Sequence, residues 1–334
     1  MAKPLALTFG EPAGIGPDIT IKAWLRRHEL NLPAFYLLGD RDFLDRRAKA
    51  LGLDIRLAEV GAENAIDVFA SALPVVATGH HATALPGHPD PTSAEAAIAS
   101  IRQAVADVAA GRAAAVVTNP IAKHVLYHAG FPFPGHTEFL GELARQWGAP
   151  AQPVMMLWSE ALCVVPVTIH IPLAEVPGAL TQALIVSTAR IVAAEMARRF
   201  GVARPRLAVA GLNPHAGEDG AMGREEIETI SPAIAALRAE GLDVSGPHPA
   251  DTMFHAAARA TYDVAICMYH DQALIPIKVL DFDEGVNVTL GLPIVRTSPD
   301  HGTAFGIAGS GTARPGATVA AIRMAGQCVA QRNA

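Results

Sequence analysis

Short apolar runs recur along the chain and alternate with longer amphipathic segments, a pattern that predicts an α/β fold. Runs such as Val154–Leu157 and Leu162–Ile169 are apolar without alternation. Strands that are covered by helices on both faces of a parallel sheet have this composition. The other predicted strands are Leu5–Phe9, Phe35–Leu38, Ala114–Thr118, Arg206–Gly211 and Asp263–Met268.

Helix ends are marked by capping residues at the start and by glycine at the stop. Thr92 to Glu95 form a capping-box pattern before an alanine-rich segment that ends at Gly111. The other predicted helices are Thr137 to Gly148, Thr181–Phe200 before Gly201, Arg224–Glu240 before Gly241, and a last helix from near Gly316.

The bulk composition limits the classes of function. The 334 residues are 51% hydrophobic and 17% charged, which is typical of a packed chain of two lobes. A net charge of -6 without a basic block argues against nucleic acid. The apolar segments are shorter than the roughly 20 residues that a membrane helix needs. The three cysteines include no CxxC pair, which indicates reduced thiols. We therefore expect a cytoplasmic protein that binds neither membranes nor nucleic acid.

Three histidines stand just beyond the C-terminal ends of predicted buried strands: His170, His215 and His270. Sites assemble at that edge of α/β sheets, and three imidazoles suit a divalent metal with open coordination positions. Asp251 and Asp271 are candidate ligands, orienters of an imidazole, or proton acceptors. The alternative interpretation is that the histidines and Asp271 are ordinary loop residues and that Asp251 caps a helix.

The opening loop at 10–18 follows a strand and precedes a helix. Gly14 and Gly16 allow a ligand to approach the backbone, and the helix N-terminus could receive an anion. The loop matches neither a dinucleotide-binding fingerprint nor a P-loop, so a plain strand-to-helix turn is the competing interpretation.

A candidate clamp for a small anion consists of His136, Thr137, Lys278, Asn287 and Arg296. Lysine and arginine are natural partners of phosphate. Lys278 lies inside the apolar run Leu274–Leu280, where a cation needs a partner, although each cation taken alone is typical of an ordinary surface.

Eight long and chemically unusual segments are spread over nearly the whole chain. They are GEPAGIGPD at 10–18, VVTNPIAK at 116–123, GHTEFL at 135–140, PVTIHIPL at 166–173, LNPHAGEDG at 212–220, PADTMF at 249–254, YHDQALIPIK at 269–278 and RTSPDHGTAF at 296–305. Together they resemble the 4-hydroxythreonine-4-phosphate dehydrogenase family of vitamin B6 synthesis.

The resemblance implies a two-lobed α/β fold of the isocitrate/isopropylmalate-dehydrogenase type with the active site in the interdomain cleft. The expected lobes are 1–128 plus 297–334 on the cofactor side, and 129–296 for metal, substrate and dimerisation. It also implies a homodimer in which both subunits contribute the metal ligands His170, His215 and His270. The residues expected to bind the substrate are His136, Thr137, Lys278, Asn287 and Arg296.

The cofactor implied by the resemblance is NAD or NADP, held near Gly302 and Thr303, with Gly14 as a further candidate. Related dehydrogenases often carry an aspartate where this chain has Gly306, so the preference for NAD over NADP stays open. The implied metal is divalent, with zinc, cobalt, magnesium and manganese all admitted.

The implied reaction is oxidation of 4-phosphooxy-L-threonine at C3 and decarboxylation to 3-amino-2-oxopropyl phosphate, with Lys278 or Asp271 as the candidate base. One alternative is a dehydrogenase of a phosphorylated sugar acid, of the phospho-threonate or phospho-erythronate type, or of a cyclic dihydrodiol. A different class would be a metal-dependent phosphohydrolase, which needs no nicotinamide, or a non-catalytic small-molecule binding protein.

Overall fold

A computed structural model of the protein describes residues 3–133, 135–147 and 151–332. The strands within these residues are β1 (Leu5–Leu7), β2 (Phe35–Gly39), β3 (Leu57–Glu59), β4 (Leu73–Ala77), β5 (Val116–Val117), β6 (Val154–Trp158), β7 (Cys163–Thr168), β8 (Leu207–Ala210), β9 (Val244–His248), β10 (Val264–Tyr269), β11 (Val286–Leu290) and β12 (Arg296–Pro299). The α-helices are α1 (Gly16–Leu25), α2 (Arg41–Ala50), α3 (Ala65–Phe69), α4 (Pro91–Ala109), α5 (Lys123–His128), α6 (His136–Arg145), α7 (Val176–Ala179), α8 (Gln182–Phe200), α9 (Ser231–Ala239), α10 (Ala256–Arg259), α11 (His270–Leu280) and α12 (Gly316–Arg332).

The chain divides into two compact units, of which the first comprises 1–152 and 292–330. Its strands pair in the order β3-β4-β2-β1-β5-β12, and every pair is parallel. Ile101 of α4 and Phe139 of α6 belong to one buried core with Val116 of β5. Parallel strands with apolar residues on both faces require such helical cover, as the apolar runs predict.

The second unit comprises 153–291 and 331–334, and its strands pair in the order β11-β6-β7-β10-β8-β9. The β11–β6 and β6–β7 pairs are antiparallel, and β7, β10, β8 and β9 form the parallel part of the sheet. Parallel strands end at a common edge, so the residues that follow β7, β8 and β10 emerge on the same side of this unit.

All seven predicted strands occur, with ends that shift by at most two residues. The predicted start and stop of α8 are confirmed. The Thr181 hydroxyl accepts a hydrogen bond from the Leu184 amide at 3.2 Å, and Gly201 adopts the left-handed conformation with φ of 72°. The cysteines Cys163, Cys267 and Cys328 are free and buried.

Two predicted helix starts are wrong. Helix α4 is capped by Asp90, whose carboxylate accepts the Thr92 amide at 2.8 Å, because Pro91 suits the first helical position and moves the cap upstream of Thr92.

Helix α6 begins at His136 after Gly135, so Thr137 lies inside its first turn, and the predicted stop at Gly148 lies outside the described residues. The helix predicted over Arg224–Glu240 is confirmed within one residue at each end, but its hydrogen bonding changes from a π-helix at Glu226–Ile230 to α9. Pro232 lacks the amide that would continue one hydrogen-bond ladder through this point.

The division into units differs from the lobes expected from the sequence. Residues 129–152 and 292–296 group with the first unit, because Phe139, Leu140 and Leu143 of α6 and Leu292 and Ile294 belong to its core. His136, Thr137 and Arg296 consequently lie in the first unit. Among the described helices, none is by itself long and apolar enough to cross a membrane, and one bent pair, Leu173–Ala179 with Gln182–Phe200, passes that test by length and composition alone.

Candidate active site

Two of the three predicted histidines come together at the edge of the second unit. Strands β7 and β10 are parallel neighbours with Thr168 opposite Tyr269, and they deliver His170 and His270 side by side. The centroids of the two imidazole rings are 5.7 Å apart. Both rings line a cavity of about 220 Å³, whose wall is formed by Thr168, His170, Ile171, Leu173, Val176, Tyr269, His270 and Asp271.

The His270 ring is oriented by its neighbour. The Nδ1 atom of His270 lies 2.7 Å from the Asp271 Oδ1 atom. An ionised carboxylate only accepts hydrogen bonds, so Nδ1 carries the proton and Nε2 is left as the basic nitrogen. Carboxylate–histidine pairs of this kind support metal ligands in proteins, because the carboxylate fixes the tautomer and raises the basicity of the ring.

His215 follows β8 in an unusual loop. It is exposed and has a φ of 52°, and the four residues after it also have positive φ. Within the part of the chain that the structure describes, no group of three or more His, Cys, Asp or Glu side chains is arranged to hold a metal ion. One chain therefore supplies a pair of imidazoles, and the assignment of all three histidines as ligands stays a prediction. Asp251 lies on an exposed turn after β9.

The donor set nevertheless suits a divalent metal. Two neutral imidazoles next to a carboxylate, in a cavity with room for further ligands, match the preference of zinc, cobalt and manganese for nitrogen and oxygen donors. His170 and His270 would hold such an ion directly, with Asp271 behind His270.

The predicted anion-binding residues divide between the two units. In the first unit the Arg296 guanidinium is buried on β12, with Nη2 2.6 Å from the Thr118 hydroxyl oxygen. Burial lowers the pKa of Arg296 to about 10. This cation remains charged at neutral pH and lies where water is largely excluded, which strengthens its attraction for an anion.

His136 stands in the same group at the start of α6. Burial lowers the pKa of His136 well below its ordinary value, and the nearby charges of Arg296 and Lys123 lower it further. The residue as a whole is half-buried, and its Nε2 atom is fully buried and has no hydrogen-bond partner among the described residues. A buried polar atom without a partner needs a hydrogen bond, and two nearby cations attract negative charge. A bound anion, or a hydroxyl group carried by that anion, would meet both needs here. Thr137 adds a half-buried hydroxyl in the same helical turn.

Lys278 and Asn287 lie in the second unit. Lys278 is half-buried on α11, two turns beyond His270, and its Nζ atom is 5.6 Å from the centroid of the Phe282 ring. Asn287 lies on β11 opposite Leu157 of β6.

The two loops expected at the cofactor contact each other in the first unit. The Ile15 amide donates a hydrogen bond to the Thr303 carbonyl oxygen at 3.0 Å. A Cβ atom on Gly14 would lie 2.9 Å from that same oxygen, so only glycine permits this contact. Gly302 and Gly306 are exposed, and Gly306 leaves the position of the ribose-binding aspartate without a side chain.

Three residues that the sequence did not single out belong to these sites. Lys123 contributes positive charge beside His136, and Gln272 and Glu226 are buried behind the histidines. Lys123 ends the segment VVTNPIAK, and Gln272 lies inside YHDQALIPIK. Their position in those segments was a usable signal for both, whereas Glu226 lies outside every segment that carries the resemblance.

Comparison with known proteins identifies the family. The family model described as pyridoxal phosphate biosynthetic protein PdxA matches residues 31–325. This chain belongs to that family. The membership confirms the family predicted from the eight segments, and with it an enzyme of the dehydrogenase class.

Similar proteins are consistent with this membership. The 4-hydroxythreonine-4-phosphate dehydrogenase of Bradyrhizobium diazoefficiens is 66% identical over 340 residues, which cover 99% of this chain and 99% of the relative. A crystal structure of the enzyme of the same name from Klebsiella pneumoniae is 38% identical, with a TM-score of 0.86 over 99% of both chains. A terephthalate 1,2-cis-dihydrodiol dehydrogenase from Burkholderia xenovorans is 29% identical, with a TM-score of 0.65 over 98% of both chains. The α/β fold predicted from the sequence is thereby confirmed.

Proposed function

We propose that this chain catalyses the metal-dependent oxidation of 4-phosphooxy-L-threonine at C3 with NAD or NADP, followed by decarboxylation to 3-amino-2-oxopropyl phosphate, in vitamin B6 biosynthesis. The observation that carries the proposal is the 66% identity with a relative of that name over 99% of both chains. The histidine pair and the buried cationic group supply the two kinds of site that this reaction needs.

The cationic group accounts for recognition of the substrate. The substrate carries a phosphate and a carboxylate, and Arg296 and Lys278 offer one cation each, with Lys123 beside His136 as a third. The guanidinium of Arg296 is anchored by Thr118 before the substrate arrives, so little side-chain entropy is lost on binding. A cation that is held in place before binding would fix the orientation of the anionic group that it binds, and catalysis requires an oriented substrate.

The histidines account for the chemistry at C3. A divalent metal held by His170, His215 and His270 would favour loss of the proton from the C3 hydroxyl and would offset the negative charge that develops during decarboxylation. Asp271 keeps the His270 ring in the tautomer that presents Nε2. Lys278 and Asp271 are the candidate acceptors of the hydroxyl proton, and a bound nicotinamide would supply the acceptor for the hydride from C3.

We further propose that the active enzyme is a homodimer that forms through the second unit. Helix α11 buries Leu274 and Ile277 but exposes Ile275 and Val279, at 61% and 80%, and Phe282 follows at 73%. A patch of large apolar side chains on the helix that carries His270 is typical of a protein interface. Association there would bring a second chain close to the histidine pair and offer a route to the third ligand.

A single assay tests the reaction. Purified protein is mixed with 4-phosphooxy-L-threonine, a divalent metal and either NAD or NADP, and the absorbance of the reduced nicotinamide and the release of CO2 are followed. We expect metal-dependent reduction that a chelator abolishes, with both cofactors active because Gly306 offers no carboxylate against a 2′-phosphate. Release of phosphate without nicotinamide reduction would instead indicate the phosphohydrolase.

The same assay separates the substrates. Similarity to a dihydrodiol dehydrogenase favours a second candidate, oxidation of a cyclic dihydrodiol, which is tested as an alternative substrate in place of 4-phosphooxy-L-threonine. Turnover of a phospho-threonate or phospho-erythronate, and not of 4-phosphooxy-L-threonine, would move the assignment to a sugar acid.

Subunit complementation tests the shared metal site. Three variants, His170→Ala, His215→Ala and His270→Ala, are inactive alone if each is a ligand. When two variants are unfolded together and refolded, a mixed dimer regains one complete site only if the two altered histidines come from different subunits. Recovery in none of the three pairs, from wild-type protein that regains activity under the same treatment, would contradict the shared site.

A further inference from the structure

The strand ends that carry the histidines are joined by buried hydrogen bonds. Thr168, two residues before His170, donates from its hydroxyl to the Met268 carbonyl oxygen at 2.8 Å. Met268 itself lies two residues before His270. The ends of β7 and β10 are therefore linked by a side chain in addition to the backbone ladder of the sheet.

Gln272 extends the link to the third strand. Its side-chain oxygen accepts a hydrogen bond from the Met268 amide at 2.6 Å, and its side-chain nitrogen donates to the Gly211 carbonyl oxygen at 2.7 Å. Gly211 immediately follows β8, on the way to His215. The Gln272 side chain is only 8% exposed, and its amide uses one donor and one acceptor to connect the ends of β10 and β8.

Glu226 continues the network into the His215 loop. One of its carboxylate oxygens accepts the amides of Leu212 and Asn213, at 2.7 and 2.8 Å. The other accepts the Asn213 side-chain amide at 3.0 Å, and the residue is only 3% exposed. Asn213 stands two residues before His215, so the backbone leading to that histidine is held from Gly211 onwards.

We propose that Gln272 is a positioning residue, which fixes the strand ends that carry His215 and His270 so that each histidine is presented for metal binding. A residue that only filled space here would be apolar, because a buried amide is costly unless both of its functions are hydrogen-bonded. Both the oxygen and the nitrogen of the Gln272 side-chain amide are hydrogen-bonded. Each bond is made to a backbone group close to a segment that carries a histidine. The inference rests on the proposed function, in which these histidines are the metal ligands.

Co²⁺ binding to the full-length protein tests the role, because the visible absorption of Co²⁺ reports its ligand geometry without any turnover. Gln272→Met keeps the length of the side chain and removes both hydrogen bonds. We expect its Kd for Co²⁺ to rise about 10- to 100-fold, the range found when groups that support metal ligands are removed, together with an altered visible spectrum. Thr168→Val removes a single bond of the network, keeps the shape and suits a strand, so it should give a smaller change in the same direction.

Ser159→Ala is the matched control. Ser159 is buried in the same unit and accepts the Leu162 amide at 3.3 Å, but it lies before β7 begins, away from the histidines. We expect it to leave the affinity and the spectrum unchanged. Wild-type affinity and spectrum in both Gln272→Met and Thr168→Val, or an equal loss in Ser159→Ala, would overturn the positioning role while the proposed function stands. Wild-type protein that binds no Co²⁺ would overturn both.

Discussion

The His136 ring lies among positive charges, and this determines how it responds to pH. Burial first, and then the charges of Arg296 and Lys123, lower the pKa of His136 well below the ordinary value of 6.5. The unfolded chain therefore binds a proton at a pH where the folded chain does not. Stability contributed by the neutral ring is complete above about pH 6.5 and is lost as the pH falls below it.

We predict that His136→Gln makes the free energy of unfolding less dependent on pH between about 6.5 and 5. The His136 contribution to the slope is at most about 1.4 kcal/mol per pH unit, which is the value for one proton. Urea denaturation of wild type and variant at several pH values measures it. His28, an exposed histidine, provides the control variant His28→Gln, which should keep the wild-type slope. Equal slopes for His136→Gln and wild type would show that the ring is not held neutral.

At the scale of single residues, the sequence predicts which side chains carry chemistry better than how they are held. A histidine after each of three apolar strands points to the sheet edge, and the structure brings His170 and His270 together there. The supporting residues leave no such pattern. Glu226 reads as one more acid in a charged segment, and its burial against the amides of Leu212 and Asn213 depends on the fold of the loop.

Among the structural elements, the loop that carries His215 has the most strained backbone. Residues 215–219 all have positive φ, and only Gly217 among them is a glycine. A left-handed conformation costs a residue with a Cβ atom roughly 1–2 kcal/mol. The hydrogen bonds from Leu212 and Asn213 to Glu226 hold the start of this loop and offset part of the cost.

The strain predicts opposite effects for one chemical change at two positions. Ala216→Gly should raise the free energy of unfolding by about 0.5–1 kcal/mol, because its φ of 51° suits glycine. Ala235→Gly, at an exposed position inside α9, should lower it by about 1 kcal/mol, since glycine is a poor helix former. Chemical denaturation of both variants against wild type measures the difference. A loss of stability in Ala216→Gly as large as in Ala235→Gly would indicate that the left-handed backbone is not strained.

The elements that the sequence predicts are those with a local signal. Strands β7 and β10 are continuous apolar runs, and α8 has both a threonine cap and a glycine stop. Strands β3 and β9 are only partly buried, so they lack a continuous apolar run, and each pairs with a neighbouring strand, β3 with β4 and β9 with β8. Four of the five residues at 215–219 disfavour a left-handed backbone. Residue propensities would therefore exclude this conformation, which the contacts of the folded loop impose.

For the molecule as a whole, chain length and composition predict two lobes, but their boundaries come from the resemblance alone, since no linker marks them. The grouping of 129–152 with the first unit depends on where the apolar face of α6 is buried, and the pattern of that helix does not say which sheet it covers. Association between chains likewise depends on which apolar side chains the fold leaves exposed. The apolar run 274–280 reads as one buried segment, and only the fold separates buried Ile277 from exposed Val279.

The exposed face of α11 yields a prediction about assembly. Val279→Glu places a charge in the centre of the proposed interface, where it would lose its hydration without a partner. We expect wild-type protein to be a dimer by light scattering, and Val279→Glu to be a folded monomer that binds Co²⁺ weakly and lacks dehydrogenase activity. Helix α3 provides the control Ile66→Glu, since Ile66 is also exposed but lies in the first unit. That variant should remain dimeric and active. A Val279→Glu protein that stays dimeric, or a monomer that keeps wild-type activity, would show that the active site does not depend on this face.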